Sequence, residues 1–182
     1  DELIALMKEN PRMCHHLHIP VQSACNETLQ RMNRPYTIEE FKEKIDYIRS
    51  CIPDISISTD VIAGFVQESD EEFETTYQNL KDLELSFFHV FPYSKRNGTK
   101  ASFLKGEING KVAKDRVARL IELSNVSREK DMHRFNPIQV LIERKQDGYY
   151  MGYTNQYHPC KILSDEPLSG RITIEWDRIE EG

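Results

Sequence analysis

Three segments of the chain alternate apolar and polar residues with the period of two that is typical of β-strands. They read HHLHIPVQS at residues 15–23, ISISTDVI at residues 55–62 and FFHVFPYS at residues 87–94. Each has an apolar face and a face of hydrogen-bonding groups, and helix-length stretches separate them. The pattern predicts parallel β/α units whose apolar faces pack on helices and whose polar faces line a cavity.

Amphipathic spacing predicts helices between and around these strands. Two capping-box patterns, TIEE at residues 37–40 and SDEE at residues 69–72, precede apolar residues at helical spacing. Further helices are predicted over Asp1 to Asn10 and over Lys111 to His133. The predicted fold class is therefore α/β. Three parallel β/α units make only a partial TIM-type (β/α) barrel, because closing such a barrel commonly takes about six to eight strands.

The rhythm changes after Pro137 to short strands that are typical of an antiparallel β domain. Asp147-Gly148 is a hairpin signal between two of them. The predicted strands are Ile138 to Glu143, Tyr149 to Thr154, Cys160 to Leu163 and Ile172 to Trp176. We therefore predict two domains, the partial barrel over residues 1–135 and a small antiparallel β-barrel over residues 136–182.

Composition indicates a water-soluble globular protein. The 182 residues include 38% hydrophobic and 30% charged residues, and no apolar run approaches the roughly 18 residues of a membrane helix. The start, DELIALMKEN, is acidic and does not resemble a signal peptide. Cys14, Cys25, Cys51 and Cys160 lack the short paired spacing of zinc and redox sites. We expect reduced cysteines, a cytoplasmic location and no membrane partner.

Charge is distributed unevenly along the chain. The net charge is −6, yet residues 95–135 hold eleven Lys and Arg against five Asp and Glu. This segment, here called the basic island, favours contact with RNA phosphates, and we select Lys95, Arg96 and Lys100 as the contacts. The alternative is a solvated helix face with ordinary ion pairs.

Four tyrosines in the predicted β domain offer a second surface for RNA. They are Tyr149, Tyr150, Tyr153 and Tyr157. Tyrosine rings can stack on bases, and we select Tyr153 and Tyr157 for this role. Aromatic residues at alternating positions of small barrels are usually core, so we expect at least two of the four to be buried.

The polar faces of the three strands carry the candidate site. Their hydrogen-bonding residues are His16, His18, Gln22, Ser56, Ser58, Asp60, His89 and Tyr93. Such a set from three strands favours a pocket for a polar cofactor at the carboxyl ends of the strands. The alternative is a satisfied buried hydrogen-bond network. Gly64, just after the second strand, either lets a ligand approach the backbone or only turns the chain.

Two histidines on the first strand suggest a metal-dependent hydrolase as a further alternative. His16 and His18 lie two apart on one face, so both imidazoles could reach one ion. His89 and Asp60 are further candidate ligands. A pair of histidines on a strand is a weak signal, and we assign no metal ligand from it.

Three ordered runs carry a resemblance to a known family. They are CHHLHIPVQSACNETLQRMNRPYT from residue 14, ISTDVIAGF from residue 57, and HVFPYSKRNGTKA from residue 89. In order and spacing they resemble the radical S-adenosylmethionine methylthiotransferases, closest to the branch that acts on threonylcarbamoyladenosine beside the tRNA anticodon. The tail, with GYTNQY at residues 152–157, resembles the RNA-binding TRAM domain that ends these enzymes.

The resemblance implies an incomplete barrel that binds S-adenosylmethionine and a 4Fe–4S cluster. The cluster would cleave the cofactor to a radical that abstracts hydrogen from the adenine ring before sulfur and a methyl group are added. tRNA, through its anticodon stem-loop, is the implied substrate. Carried over by position, the cofactor pocket would comprise Gln22, Ser23, Ser58, Asp60, Gly64, Glu68, Phe91 and Tyr93.

The sequence departs from the family in three places. The C-x3-C-x2-C motif that binds the cluster is absent from these residues. Where the family has GFPGE the chain reads GFVQE at residues 64–68, and where it has QSGS the chain reads QSAC at residues 22–25. The last two changes fall on turns of the implied cofactor side.

The leading hypothesis is the C-terminal part of a tRNA methylthiotransferase, in which the C-terminal half of the radical SAM barrel is followed by a TRAM-like RNA-binding domain. On this hypothesis the chain alone is inactive, no catalytic residue is assigned, and an N-terminal part of the same protein is its partner. The alternatives are the metal-dependent hydrolase that uses His16 and His18, and a non-catalytic RNA-binding module whose half barrel is a scaffold.

Overall fold

The computed structural model describes residues 2–175 and, as backbone only, residues 179–181. The predicted helix start at Asp1 and the predicted strand end at Trp176 lie outside these residues. In chain order the elements are α1 (Glu2–Glu9), β1 (His16–His18), α2 (Asn26–Arg31), α3 (Ile38–Cys51), β2 (Ser56–Ala63), α4 (Asp70–Asp82), β3 (Phe87–Pro92), a 3-10 turn (Lys100–Phe103), α5 (Gly110–Met132), β4 (Ile138–Gln146), β5 (Tyr149–Thr154), β6 (Pro159–Leu163), β7 (Gly170–Ile174) and β8 (Ile179–Glu181).

The first three strands form a parallel sheet in the order β1-β2-β3, which confirms the predicted α/β class. β1 is shorter than the predicted strand because Pro20 has no N–H for the ladder. The next N–H, on Val21, donates to the Thr59 side-chain hydroxyl at 2.8 Å. Pairing resumes at Gln22, which forms a parallel bridge with Val61.

α3 and α4 begin at the two predicted capping boxes. In α4 the Ser69 hydroxyl accepts from the Glu72 N–H, and the Glu72 carboxylate accepts from the Ser69 N–H. Thr37 and Glu40 exchange the same two bonds before α3. The apolar stripes are buried as expected, at Ile38, Phe41, Ile45 and Ile48 in α3 and at Phe73 and Leu80 in α4.

The C-terminal strands form an antiparallel sheet in the order β7-β4-β5-β6-β8. β4 and β5 meet at the predicted hairpin, where Asp147 has a φ of 49° and Gly148 a φ of 87°. Its core is Ile138, Val140, Tyr150, Cys160, Ile162 and Ile174. The predicted small antiparallel sheet is thus present.

The chain divides into two compact units. One comprises Asp1–Leu17, Ile48–Ser56 and Glu129–Gly182, and the other comprises His18–Tyr47 and Ile57–Arg128. None of the helices in the described part of the chain is both long and apolar enough to cross a membrane.

Candidate functional site

Side chains from the three parallel strands meet at the level of Asp60. The β2–β3 register pairs Asp60 with His89. His18 Nε2 lies 3.3 Å from Asp60 Oδ2, and His89 Nδ1 lies 3.3 Å from Asp60 Oδ1. On the other side of the His18 ring, Nδ1 lies 2.9 Å from the hydroxyl of the buried Ser58. We call His18, Ser58, Asp60 and His89 the strand cluster.

The strand cluster can bind a cation or hydrogen-bond a polar ligand. Two imidazoles and one carboxylate converge, and these groups supply nitrogen and oxygen donors. The side chains of His18, Asp60 and His89 are 35%, 25% and 53% exposed, so a ligand has access from solvent. Alternation correctly put Ser58 and Asp60 on one face of their strand.

Gln22 lies beyond β1, in the bridge to Val61 of β2, and Phe91 and Tyr93 lie at the carboxyl end of β3. Gln22 has a φ of 69°, and its N–H donates to the Asp60 carbonyl at 2.9 Å. Phe91 is 49% exposed. The Tyr93 ring packs edge-on against Phe65 at 4.9 Å, and its hydroxyl is buried with no hydrogen-bond partner among the residues that the structure describes.

The other three residues of the implied pocket bond to the protein itself. The Ser23 hydroxyl lies 3.2 Å from the Thr76 hydroxyl in buried surroundings. Glu68 is also buried, and its carboxylate accepts from the Gly64 N–H at 2.9 Å and from Arg116 at 2.7 Å. Burial raises the pKa of the Glu68 carboxyl, while the Gly64 bond and Arg116 oppose that shift.

Gly64 occupies a position that only glycine fills without strain. Its φ is 72°, and a Cβ added there would lie 3.0 Å from the Ala113 Cβ on α5. The glycine therefore serves both a turn and a close helix contact. These observations explain Gly64 without a ligand, and its part in cofactor binding stays a prediction.

His16 does not join the strand cluster. Its ring stacks on Tyr157 with centroids 5.0 Å apart, and Tyr157 stacks on Tyr153 at 4.9 Å. The ligand set of the predicted hydrolase is therefore corrected, since the structure groups His18 with Asp60 and His89 rather than with His16. Tyr157, which is 51% exposed, therefore lies between His16 and Tyr153 in this aromatic stack.

The prediction that at least two of the four tyrosines are buried was wrong. Tyr150 is buried at 8% exposure, Tyr149 and Tyr153 are half-buried, and Tyr157 is exposed. The reason is strand alternation: along β5 the buried positions are 150, 152 and 154, so Tyr149 and Tyr153 fall on the opposite face.

The three selected basic residues lie on the surface. Arg96 and Lys100 are exposed, and Lys95 is exposed with its ammonium 3.3 Å from Glu107. Several arginines of the basic island instead have partners inside the protein. Arg116 binds Glu68 and Asp70, Arg119 binds Glu74, Arg128 lies over the Phe87 ring, and Arg134 binds Asp131. Part of the basic island is therefore structural.

A buried network around Asp131 has no signal in the local sequence. Asp131 is 4% exposed and accepts from Ser56, from His158 Nε2 at 2.7 Å and from Arg134 at 2.7 Å. Burial alone would raise its pKa, but these hydrogen bonds outweigh burial and lower the pKa to about 2. Ser56, assigned by alternation to the cavity face, bonds to this carboxylate.

The cysteines do not fit a 4Fe–4S cluster, which needs several converging thiolates. Cys25 and Cys160 are buried, and burial raises the pKa of both thiols, that of Cys160 to about 11. Among residues 2–175, three potential metal-ligand atoms lie within 4.8 Å of one another at His18, Asp60 and His89. No cysteine belongs to this group.

Comparison with known proteins gives relatives along most of the chain. The threonylcarbamoyladenosine tRNA methylthiotransferase MtaB of Bacillus subtilis is 35% identical over 94% of this chain and 40% of its own length. The tRNA-2-methylthio-N(6)-dimethylallyladenosine synthase of Thermodesulfovibrio yellowstonii is 39% identical over 90% of this chain and 39% of its own length. The chain thus spans about two fifths of the length of these relatives.

A family model and a solved structure also match this chain. The Radical SAM superfamily model matches residues 1–80. The structure of coproporphyrinogen III oxidase (HemN) from Escherichia coli, a radical SAM enzyme, matches 82% of this chain and 41% of that chain with a TM-score of 0.54 at 14% identity, which is a likeness of fold. The chain is therefore similar to the radical SAM superfamily over residues 1–80, and along most of its length it is similar to part of the tRNA methylthiotransferases.

Proposed function

We propose that this chain is part of an enzyme that adds a methylthio group to a modified adenosine of tRNA, with threonylcarbamoyladenosine as the substrate. The observation that carries the proposal is the relationship to a threonylcarbamoyladenosine tRNA methylthiotransferase over 94% of the chain. Relatives named for dimethylallyladenosine match at similar identity, so the choice between the two adenosines needs a direct test.

The proposed pocket for S-adenosylmethionine is the face of the parallel sheet that carries Asp60 and Phe91. This cofactor carries an ammonium, ribose hydroxyls and an adenine ring. The partly exposed Asp60 carboxylate suits the ammonium or a hydroxyl, and the exposed Phe91 ring suits the adenine. The Tyr93 hydroxyl, buried and without a described partner, gains a hydrogen bond in this arrangement. When bound, the cofactor supplies the family's radical and methyl-transfer chemistry.

The remaining pocket residues act by holding the backbone in position. Gln22 fixes the segment after β1 against Asp60, and Ser23 fixes the following turn through Thr76. Glu68 ties the Gly64 turn to Arg116 on α5. In this proposal Ser58 orients His18 rather than the cofactor. The cysteines of this chain do not fit an iron–sulfur cluster, so none of these residues is proposed to hold one.

We further propose that residues 1–135 form part of a TIM-type (β/α) barrel and that residues 136–182 form a TRAM-like barrel that contacts RNA. The three parallel strands with intervening helices support the first assignment, and the five-stranded antiparallel sheet supports the second. The anticodon stem-loop of tRNA and the rest of the same protein are the proposed partners. The cytoplasm, where tRNA is modified, is the proposed location.

A nucleoside analysis in the organism that encodes the chain tests the function. The gene is deleted, and total tRNA is digested and analysed by mass spectrometry. We expect the methylthio form of threonylcarbamoyladenosine to disappear and its precursor to accumulate, while the methylthio form of dimethylallyladenosine stays constant. The reverse pattern would transfer the assignment to the other adenosine, and an unchanged content of both would sink the proposal.

Complementation then tests the pocket. A gene carrying Asp60→Ala should fail to restore the modified nucleoside. A gene carrying Asp147→Ala, which changes an exposed hairpin carboxylate, should restore it. Equal restoration by both would remove Asp60 from the pocket and leave the family assignment untouched.

A further inference from the structure

We infer that His18, Asp60 and His89 form a binding site for one divalent transition-metal ion, of which Zn²⁺ is the best match. The inference goes beyond the proposed function and does not rest on it. It comes from the convergence of three donor atoms within 4.8 Å of one another on three adjacent strands.

The donor positions are close to those around a bound ion. Zinc binds histidine nitrogen and carboxylate oxygen at about 2.0–2.2 Å, so two ligands of one ion lie roughly 3–3.5 Å apart. Each histidine nitrogen lies 3.3 Å from a different oxygen of the Asp60 carboxylate, His18 Nε2 from Oδ2 and His89 Nδ1 from Oδ1. The carboxylate therefore binds the ion through both oxygens or turns to offer it one. His89 is 53% exposed, so its side chain has room to turn toward the ion.

Ser58 prepares His18 for the role of ligand. With the Nδ1 hydrogen of His18 directed at the Ser58 hydroxyl 2.9 Å away, the lone pair of Nε2 faces Asp60. Histidine ligands of metals commonly have their second nitrogen held by a hydrogen-bond partner, which fixes the tautomer and the orientation of the ring. Ser58 is fully buried, so this partner is itself held in place.

The electrostatics favour a cation between these groups. In that tautomer the Nε2 lone pair and the Asp60 carboxylate are two acceptors 3.3 Å apart, and Asp60 faces His89 at the same distance. A metal ion between them would make this arrangement attractive. The metal-free alternative is the other tautomer of His18, in which Nε2–H donates to Asp60 and the Ser58 hydroxyl donates to Nδ1, and a metal titration separates the two.

The composition of the site selects the class of ion. Two imidazoles and one carboxylate are a donor set of zinc enzymes and of non-haem iron sites, whereas Ca²⁺ and Mg²⁺ favour oxygen donors only. Three protein ligands leave a coordination position open, and the partial exposure of all three side chains puts that position within reach of water or a small ligand.

Binding of the metal is tested on the chain without S-adenosylmethionine, because Asp60 also belongs to the proposed cofactor pocket. The purified chain is titrated with Co²⁺, whose visible absorption reports nitrogen and oxygen ligation, and the bound Co²⁺ is then displaced with Zn²⁺. We expect a saturable one-to-one site that Zn²⁺ takes over and that Mg²⁺ does not.

Variants assign the ligands. His89→Gln and Asp60→Asn keep the size of the side chains, and each should weaken binding by more than about tenfold. Ser58→Ala should weaken it by roughly 10- to 100-fold while leaving the stoichiometry at one. His133→Ala changes an exposed histidine outside the strand cluster and should bind as the parent does. Circular dichroism checks that each variant is folded.

Two outcomes would overturn the inference. The first is a parent chain with no saturable Co²⁺ or Zn²⁺ site, which would mean that the cluster is an ordinary histidine–aspartate hydrogen-bond network. The second is a site whose affinity survives both His89→Gln and Asp60→Asn, which would place the ion elsewhere. Neither outcome bears on the nucleoside analysis that tests the proposed function.

Discussion

The hydrogen-bond partners of Asp131 shift the pKa of its carboxyl group strongly. Three donors surround its carboxylate, from Ser56, His158 and Arg134. A carboxylate at 4% exposure would ordinarily favour the neutral form, yet these bonds hold its pKa at about 2. The charge is therefore part of the folded structure and couples stability to pH.

We predict that Asp131 makes the free energy of unfolding depend on pH below about 4. Its pKa is lower in the folded chain, at about 2, than its ordinary value of 3.8. The stabilisation, on the order of 2 kcal/mol, is therefore fully present above the ordinary value and is lost as pH falls through about 2. Urea unfolding of the parent and of Asp131→Asn measures this, and their difference should shrink as the pH falls.

Asp147→Asn is the matched control, because Asp147 is an exposed carboxylate whose left-handed backbone asparagine also tolerates. Its difference from the parent should stay near zero from pH 6 downward. A constant difference between the parent and Asp131→Asn over the whole acid range would contradict the assignment of the charge to Asp131.

Gly64 gives a second prediction, on stability. Gly64→Ala adds a Cβ at a φ of 72° and 3.0 Å from the Ala113 Cβ. Gly98→Ala has the same kind of backbone penalty at a φ of 83°, but nothing lies within 4 Å of its Cβ. In each variant the left-handed backbone should lower the free energy of unfolding by about 1–2 kcal/mol. The loss should be larger for Gly64→Ala, because its new Cβ also crowds Ala113. Denaturant unfolding of the two variants measures the difference.

A double-mutant cycle isolates the contact. Ala113→Gly removes the opposing Cβ, so combining it with Gly64→Ala should cost less than the sum of the two single changes. Strict additivity would mean that the helix shifts freely and that only the backbone angle requires glycine at this position.

At the scale of elements, the capping box of α4 makes a local prediction. Ser69→Ala removes the acceptor for the Glu72 N–H and should lower the free energy of unfolding by about 1 kcal/mol. Ser94→Ala, in the exposed segment after β3, is the control and should change it by less than about 0.5 kcal/mol. If both variants unfold alike, the cap does not stabilise α4 in the folded protein.

Elements with strong local signals were predictable, and those held by distant contacts were not. The capping boxes located the starts of α3 and α4 because the two box residues bond to each other within four positions. α2 was missed. It has only six residues, and its support is distant: the Asn26 side chain accepts from the Ile38 N–H, and Arg31 binds Glu72. A short helix of this kind has too little local stability to mark the sequence.

In the candidate site, too, the residues placed by local patterns were predictable and those held by distant partners were not. Alternation along the strands predicted that Ser58, Asp60 and His89 face a shared region, because the period of two is a local property. It failed for His16 and Ser56, whose partners are Tyr157 and Asp131. Those partners lie more than seventy positions away in the chain, and no spacing rule connects them.

At the scale of the whole molecule, the basic residues fall into two groups that the net charge does not distinguish. Some form ion pairs within the protein, and others are exposed at the surface. Arg116 is 4% exposed and ion-paired with Glu68, so its charge serves the core. A buried, ion-paired guanidinium of this kind is not accessible to RNA phosphates. Lys95, Arg96 and Lys100 are exposed, and they form the part of the basic island with which RNA binding can be tested.

We predict that RNA affinity depends on these three residues through charge alone. Changing Lys95, Arg96 and Lys100 to alanine should weaken binding of an anticodon stem-loop and flatten the dependence of log K on log salt, by about 0.7–0.9 for each phosphate that is no longer neutralised. Fluorescence anisotropy across a salt series measures both quantities. The Glu107 partner of Lys95 is exposed, so the salt bridge between them is weak and leaves the ammonium available.

A charge-matched triple variant decides whether position matters. Changing Lys8, Lys44 and Lys81 to alanine removes the same charge from exposed sites outside the basic island, and it should leave the salt slope close to that of the parent. If the two triple variants weaken binding equally, RNA responds to the overall charge of the chain. If neither does, the basic island does not bind RNA, and the stacked rings of the half-buried Tyr153 and the exposed Tyr157 become the next surface to test, since tyrosine rings can stack on bases.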